Sequence, residues 1–247
     1  MIKPPFVRPG DEVKVVGRVF DTPLVVKGKT WFPLVQLAAW PILSWVAGRR
    51  KPERSWGQRL AIGAVTMPVV LAAEWCHNLA HAAAARWIGK PMDAIRILWG
   101  MPVLIYYDIN DQGVSPRQHI LRALGGPLFN TFAWVAAHLL KRGTRPGSTL
   151  GEVAEAAEKM NAFIAGVGLL PIPGIDGGPI LKWSLVEMGR TPAQADLLVR
   201  RVNGVLGAGL AGAGAAALKR KRWLEGGILV LLAGTALSIA SGLLKEQ

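Results

Sequence analysis

The pentad His77-Asn78-Leu79-Ala80-His81 lies inside a long apolar run and offers two imidazoles four residues apart. On a helix, residues so spaced project from one face, one turn apart, which is what two ligands of a single metal ion require. The hydrolytic form of this pattern is H-E-x-x-H, in which the glutamate serves as base for the attacking water. Asn78 stands at the glutamate position and has no titratable group. The pentad carries the ligands of a hydrolytic metal site without its usual base.

The rest of the chain sets the surroundings of that pentad. Of 247 residues, 51% are hydrophobic; there are ten tryptophans and two tyrosines, and the mean hydropathy is +0.31. The apolar residues gather in segments near membrane-spanning length rather than in short alternating strands. This predicts an α-helical, multi-pass integral membrane protein with about six transmembrane or re-entrant helices. The segments fall at residues 31–48, 60–88, 120–140, 161–186, 202–218 and 224–244. Between the second and third, residues 94–99 and 103–107 read as a small membrane-associated β-hairpin turning at Gly100-Met101-Pro102. Residues 1–30 form an N-terminal soluble or interfacial segment with two short strands and no apolar core of a signal peptide. Residues 31–247 form the membrane domain.

The net charge of +13 does not point to nucleic acid. Basic residues cluster between the apolar runs, at Arg49-Arg50-Lys51, Lys141-Arg142 and Lys219-Arg220-Lys221-Arg222, where they meet anionic headgroups of a lipid bilayer. They divide almost evenly between the two sides, so orientation is not set by charge. The tryptophans suit interfacial anchoring. A single cysteine, Cys76, excludes an intramolecular disulfide, and its position beside His77 suits packing.

A metal site takes three or more protein ligands. His119 and His138 flank the third apolar segment, but Asp176 in Pro171-Ile172-Pro173-Gly174-Ile175-Asp176-Gly177-Gly178 is the stronger third candidate. A carboxylate in a membrane segment is costly and marks a functional site with a partner. The surrounding Pro and Gly break the helix, and broken backbone at membrane depth survives only against protein or a water-filled cavity. Capping of a broken helix is the simpler role for Asp176. Glu74, three residues before His77 and four before Asn78, shares their helical face. It suits either a displaced base or a group that orients His77.

Three motifs, in order, resemble the site-2 protease family of membrane-embedded zinc metalloproteases. The pentad at 77–81 stands for H-E-x-x-H, Gly126-Pro127-Leu128-Phe129-Asn130 for G-P-x-x-N, and the segment 171–178 for the proline-rich stretch ending in Leu-Asp-Gly-Gly. The resemblance covers about residues 60–188. It implies that His77, His81 and Asp176 bind Zn2+ and that Gly126, Pro127 and Asn130 belong to the substrate-binding region. It also implies that the 95–107 hairpin presents an edge strand to a transmembrane protein substrate. Taken without the resemblance, Asn130 reads equally as interhelical hydrogen-bonding glue.

Two positions depart from the family. An amide at Asn78 cannot shuttle a proton, and loss of a positioned base costs about 10²–10⁴ in rate. Gly168 stands where the family often has asparagine. The expectation is therefore a zinc metalloendopeptidase homologue impaired in catalysis, active only with Glu at position 78 or with Glu74 as substitute base. The alternative is a catalytically inactive pseudoprotease, a binding or structural subunit that holds partner helices in the old substrate groove.

Overall fold

The computed structural model describes residues 7–244; the first six residues of the N-terminal segment lie outside it. Two compact units result. The first comprises Met1–Asp111 and Gly125–Gly166, the second Gln112–Leu124 and Val167–Gln247.

The first unit opens with β1 (Lys14–Val19) and β2 (Thr22–Val26), antiparallel and joined by Phe20 and Asp21. Both turn residues have positive φ, 48° and 62°, as a two-residue turn matched to strand twist requires. The second hairpin, β3 (Ala94–Leu98) and β4 (Met101–Ile105), turns the same way through Trp99 and Gly100. Its turn precedes the expected one by a residue, and Pro102 lies within β4. That is tolerated because β4 is an edge strand. The hairpin is also not isolated. β2 pairs parallel with β3, which makes one four-stranded sheet in the order β1-β2-β3-β4. A parallel pairing between distant segments has no local turn to announce it.

The tip of the second hairpin is anchored on two helices, α1 (Leu34–Arg50) and α2 (Trp56–Trp87). Gln36 Nε2 and Trp75 Nε1 both donate to the Gly100 carbonyl, at 2.8 and 3.1 Å. A side chain at Gly100 would run into Gln36, so this turn needs glycine for space as well as for its φ of 86°. Ser55 starts α2 with a capping box, its hydroxyl taking the Gln58 N–H while Gln58 returns to the Ser55 N–H. α1 and α2 approach closely where Gly63 faces Ser44 and Gly48 faces the Arg59 stem.

Two further helices complete this unit: α3 (Pro116–Arg142), from Gly125 onward, and α4 (Thr149–Gly168). α4 starts well before the apolar stretch at Asn161. Its early turns are polar but well paired: Glu152 meets Lys51 at 2.8 Å and also Arg54, and Glu155 meets Arg50 at 2.9 Å. Glu158 takes Lys141 at 2.7 Å. A hydropathy reading sees a loop there because charge, not apolarity, ties these turns down.

In the second unit, α5 (Gly177–Glu187), α6 (Pro192–Lys219) and α7 (Trp223–Ala240) follow. The fourth apolar segment thus divides into α4 and α5, with residues 169–176 between them, and the described residues hold seven helices rather than six. α6 and α7 run antiparallel at close range, Gly207 against Leu237, Gly214 against Val230 and Gly226 against Leu218. Small residues at a helix interface let backbones approach. Two helices, α2 and α7, are long and apolar enough to cross a membrane.

Many small residues are buried and many bulky apolar ones exposed. Buried positions are filled by Ser44, Ala47, Ala73, Ala82, Ala85 and Ala236, while Trp45, Phe132, Leu139, Val205 and Leu231 face outward.

The ion pairs on α4 make stability pH-dependent. Burial alone would raise the Glu152 carboxyl, but hydrogen bonds from Lys51 and Arg54 outweigh it and hold the group below the usual carboxylate range. A carboxyl lowered on folding stabilises above its unfolded pKa, about 4.3, and that contribution is lost as pH falls through the folded value. Thermal unfolding from pH 7 down to 3 is expected to show a smaller acid loss in Glu152→Gln than in the unaltered chain.

Candidate metal centre

α2 places His77 and His81 on one buried face, as their spacing requires. Their Nε2 atoms stand 3.1 Å apart and the rings meet edge to face. Two nitrogens bound tetrahedrally to one zinc at about 2.0–2.1 Å lie about 3.3 Å apart. The pair is spaced to share an ion with little movement.

α3 lies directly over the pair because Gly125 and Gly126 permit it. A Cβ at Gly125 would strike the Ala80 carbonyl and Ala84, and one at Gly126 would strike both imidazoles. The Gly126 N–H points at His81 Nδ1 at 3.4 Å. One turn on, fully buried Asn130 brings its Oδ1 within 2.5 Å of His77 Nδ1. The Gly126 and Asn130 of the second motif thus contact the histidines directly in this structure. Pro127 is fully buried beside them in α3, and its carbonyl accepts from the Thr131 hydroxyl at 2.8 Å.

Asn78 is buried in the same turn. Its Nδ2 donates to the Glu74 carbonyl at 2.9 Å and to Glu74 Oε1 at 3.1 Å. Amide and carboxylate form one unit beside the histidines, and the Glu74 carboxylate is held from the position where the motif expects a base.

In the second unit, Asp176 sits at the N-cap position of α5, but its side chain makes no capping hydrogen bond. The simple capping role is therefore absent. The segment before it is built rigidly. Ile172 is fully buried among Ala236 and Ile239 of α7 and Leu206 and Leu210 of α6. Asn203 of α6 donates to the Pro171 carbonyl at 2.8 Å. Side chains at Gly177 or Gly178 would collide with the backbone of residues 169–173.

The other two histidines have different partners. His138 Nδ1 lies 2.7 Å from Glu158. His119 stacks on Trp183 with ring centroids 3.8 Å apart and accepts at Nδ1 from Arg122 at 2.7 Å. One contributor to the centre has no motif to announce it: Asn161 of α4, whose Oδ1 takes the Asn130 Nδ2 donor at 2.7 Å.

Comparison with known proteins supports this picture at the level of fold. The site-2 protease of Methanocaldococcus jannaschii superimposes over 94% of this chain and 94% of its own, with TM-score 0.50 and 14% sequence identity. The fold is that of a site-2 protease. Over 82 residues, 33% of the chain, it is also 35% identical to a protein of the same organism named as a zinc metalloprotease. The match spans 41% of that relative, less than half its length. No protein-family model matches the chain. The three-motif resemblance to site-2 proteases thus extends to the whole fold, and Asn78 remains its most consequential departure.

Gly126→Ala is expected to lower stability by about 1–3 kcal/mol, as overpacking of a tight core does. Gly166→Ala on α4, where an added Cβ meets nothing within 4 Å, is expected to be neutral or up to about 1 kcal/mol stabilising. Thermal unfolding of the two variants side by side checks both signs.

Proposed function

We propose that the protein is a multi-pass integral membrane homologue of the site-2 proteases that binds zinc through His77, His81 and Asp176. The observation that carries this reading is the buried His77–His81 pair, with Nε2 atoms 3.1 Å apart and a glycine beneath them where any side chain would intrude. Two imidazoles and a carboxylate would be a donor set suited to zinc. Zinc held there supplies a Lewis acid and activates water at neutral pH. The outward-facing Trp, Phe and Leu side chains and the small-residue helix contacts suit lipid surroundings. The open edge of β4 suits an extended segment of a transmembrane protein, which would add a strand by main-chain hydrogen bonds.

Catalysis is where this chain departs from an ordinary protease. Asn78 carries no exchangeable charge, so peptide hydrolysis by the usual base is impaired. Glu74 is tied to Asn78 one turn away, which makes it a candidate for a substitute base. A second reading rests on the same bond. With its carboxylate spent on an amide, the pair reads as a locked structural element. The protein then serves as a pseudoprotease that holds partner helices in a membrane complex.

Zinc content separates a living metal centre from a relic. About one zinc per chain is expected in the purified protein, and none in His81→Ala. The choice between protease and pseudoprotease needs a paired substitution. Glu at position 78 alone would place a second carboxylate one turn from Glu74 and remove the Asn78 Nδ2 donor that Glu74 Oε1 accepts from. Asn78→Glu with Glu74→Gln is expected to raise cleavage of a transmembrane model substrate by at least about 10²-fold if the protease machinery is intact. No gain in a zinc-loaded double variant would favour the binding role.

A further inference from the structure

The direction of hydrogen bonding at His77 is set from α4. An imidazole can offer a metal its Nε2 lone pair only if the proton resides on Nδ1. His77 Nδ1 faces the side-chain amide of Asn130, and an amide can turn either end toward it. With Oδ1 toward the ring, Nδ1 carries the proton. With Nδ2 toward the ring, Nδ1 must accept and the proton moves to Nε2, where it blocks the metal. Something must choose between these arrangements.

The chain of contacts behind Asn130 makes the choice. Asn161 Nδ2 donates to the Ala157 carbonyl at 2.8 Å, one turn back along α4. A carbonyl only accepts, so Asn161 must present its Nδ2 there and its Oδ1 to Asn130. Asn130 must then present Nδ2, which it gives to Asn161 at 2.7 Å and, more weakly, to the Ala73 carbonyl at 3.4 Å. Its Oδ1 is left facing His77. Asn130 is fully buried and Asn161 is 5% exposed, so water cannot readily replace either partner. Reversing any link sets donor against donor or oxygen against oxygen.

We infer that Asn161 is a positioning residue that fixes the His77 tautomer, relaying the polarity of the Ala157 carbonyl through two amides to the metal-binding nitrogen. The inference rests on the metal-site reading for its function, but the tautomer itself exists without any metal. Asn161 bonds to Asn130 and to the Ala157 carbonyl and is not itself proposed as a ligand. Its effect passes through Asn130.

The test is ¹⁵N NMR of the metal-free full chain with labelled histidine, His77 being assigned by its loss in His77→Gln. In the unaltered protein the proton is expected on Nδ1. In Asn161→Leu, which removes the acceptor at similar size, a mixture with Nε2–H is expected. Zinc affinity, titrated with the metal alone, is expected to fall by about 10–100-fold, the usual effect of removing such an outer partner. Asn161→Asp keeps an acceptor oxygen toward Asn130. In its protonated form it still donates to Ala157, so it is expected to restore Nδ1–H and zinc affinity to within a few-fold.

A proton found on Nε2 in the unaltered protein overturns the inference without reference to any variant, which covers the case where Asn161→Leu fails to fold. Retention of Nδ1–H in a folded Asn161→Leu overturns it equally. So does an Asn161→Asp variant that loses the tautomer as Leu does. Should the unaltered protein show Nδ1–H yet bind no zinc, the tautomer relay stands and the zinc reading fails.

Discussion

The contact between His77 Nδ1 and Asn130 Oδ1 is the interaction around which the first unit is arranged. An imidazole with one nitrogen committed has one left to give, and its ring orientation is then no longer free. For that contact to form, α3 must come within hydrogen-bonding distance of the buried face of α2. Gly125 and Gly126 are what allow the approach, since a methyl group at either would meet backbone or imidazole. Asn130 could not remain fully buried without partners for its other end, and α4 supplies one through Asn161. Three helices are tied to one ring nitrogen by two amides and two missing side chains.

The same economy of small residues runs through both units. Many buried helix contacts are made by Gly, Ala and Ser and many bulky apolar side chains lie outside, though Ile164, Trp183, Val199 and Ile239 are buried. A bundle in water gains its stability by burying such surface. In lipid that surface has no cost, and stability comes from close packing and buried hydrogen bonds. The charged part of α4 obeys the opposite rule. Its carboxylates are held by Arg50, Lys51, Arg54 and Lys141, an arrangement at home in an aqueous or headgroup region.

Asn78 changes the electrostatics of the centre as well as its chemistry. A glutamate there would add a second carboxylate one turn from Glu74 and remove its amide donor. The amide instead donates to Glu74 Oε1 at 3.1 Å. The two positions are best understood together: what position 78 lacks, position 74 holds one turn away. Whether that displaced carboxylate serves water or merely structure is a matter of distance from the reacting atoms, since proton transfer demands hydrogen-bond reach.

Much of this was legible in the chain alone. The pairing of His77 with His81 follows from four-residue spacing on a helix, and the break around Asp176 from its prolines and glycines, because both are local consequences of backbone geometry. The apolar segments marked α1, α2, α3 and α7 closely, and α6 only in its apolar part, since that helix begins ten residues earlier at Pro192. The division of the fourth segment into α4 and α5, and the polar start of α4, were hidden because long-range ion pairs, not hydropathy, stabilise those turns. The joining of two hairpins into one sheet was hidden for a similar reason: parallel pairing across distant strands has no turn signature. Asn161 could not be read at all. A polar residue near the start of an apolar segment has many uses, and only the packing of α4 against α3 brings its oxygen to the Asn130 amide. The sequence by itself determined that His77 and His81 share one helical face, because helical spacing is written locally. Only the tertiary structure decided which nitrogen of His77 is offered, because that choice depends on the direction of hydrogen bonds arriving from another helix.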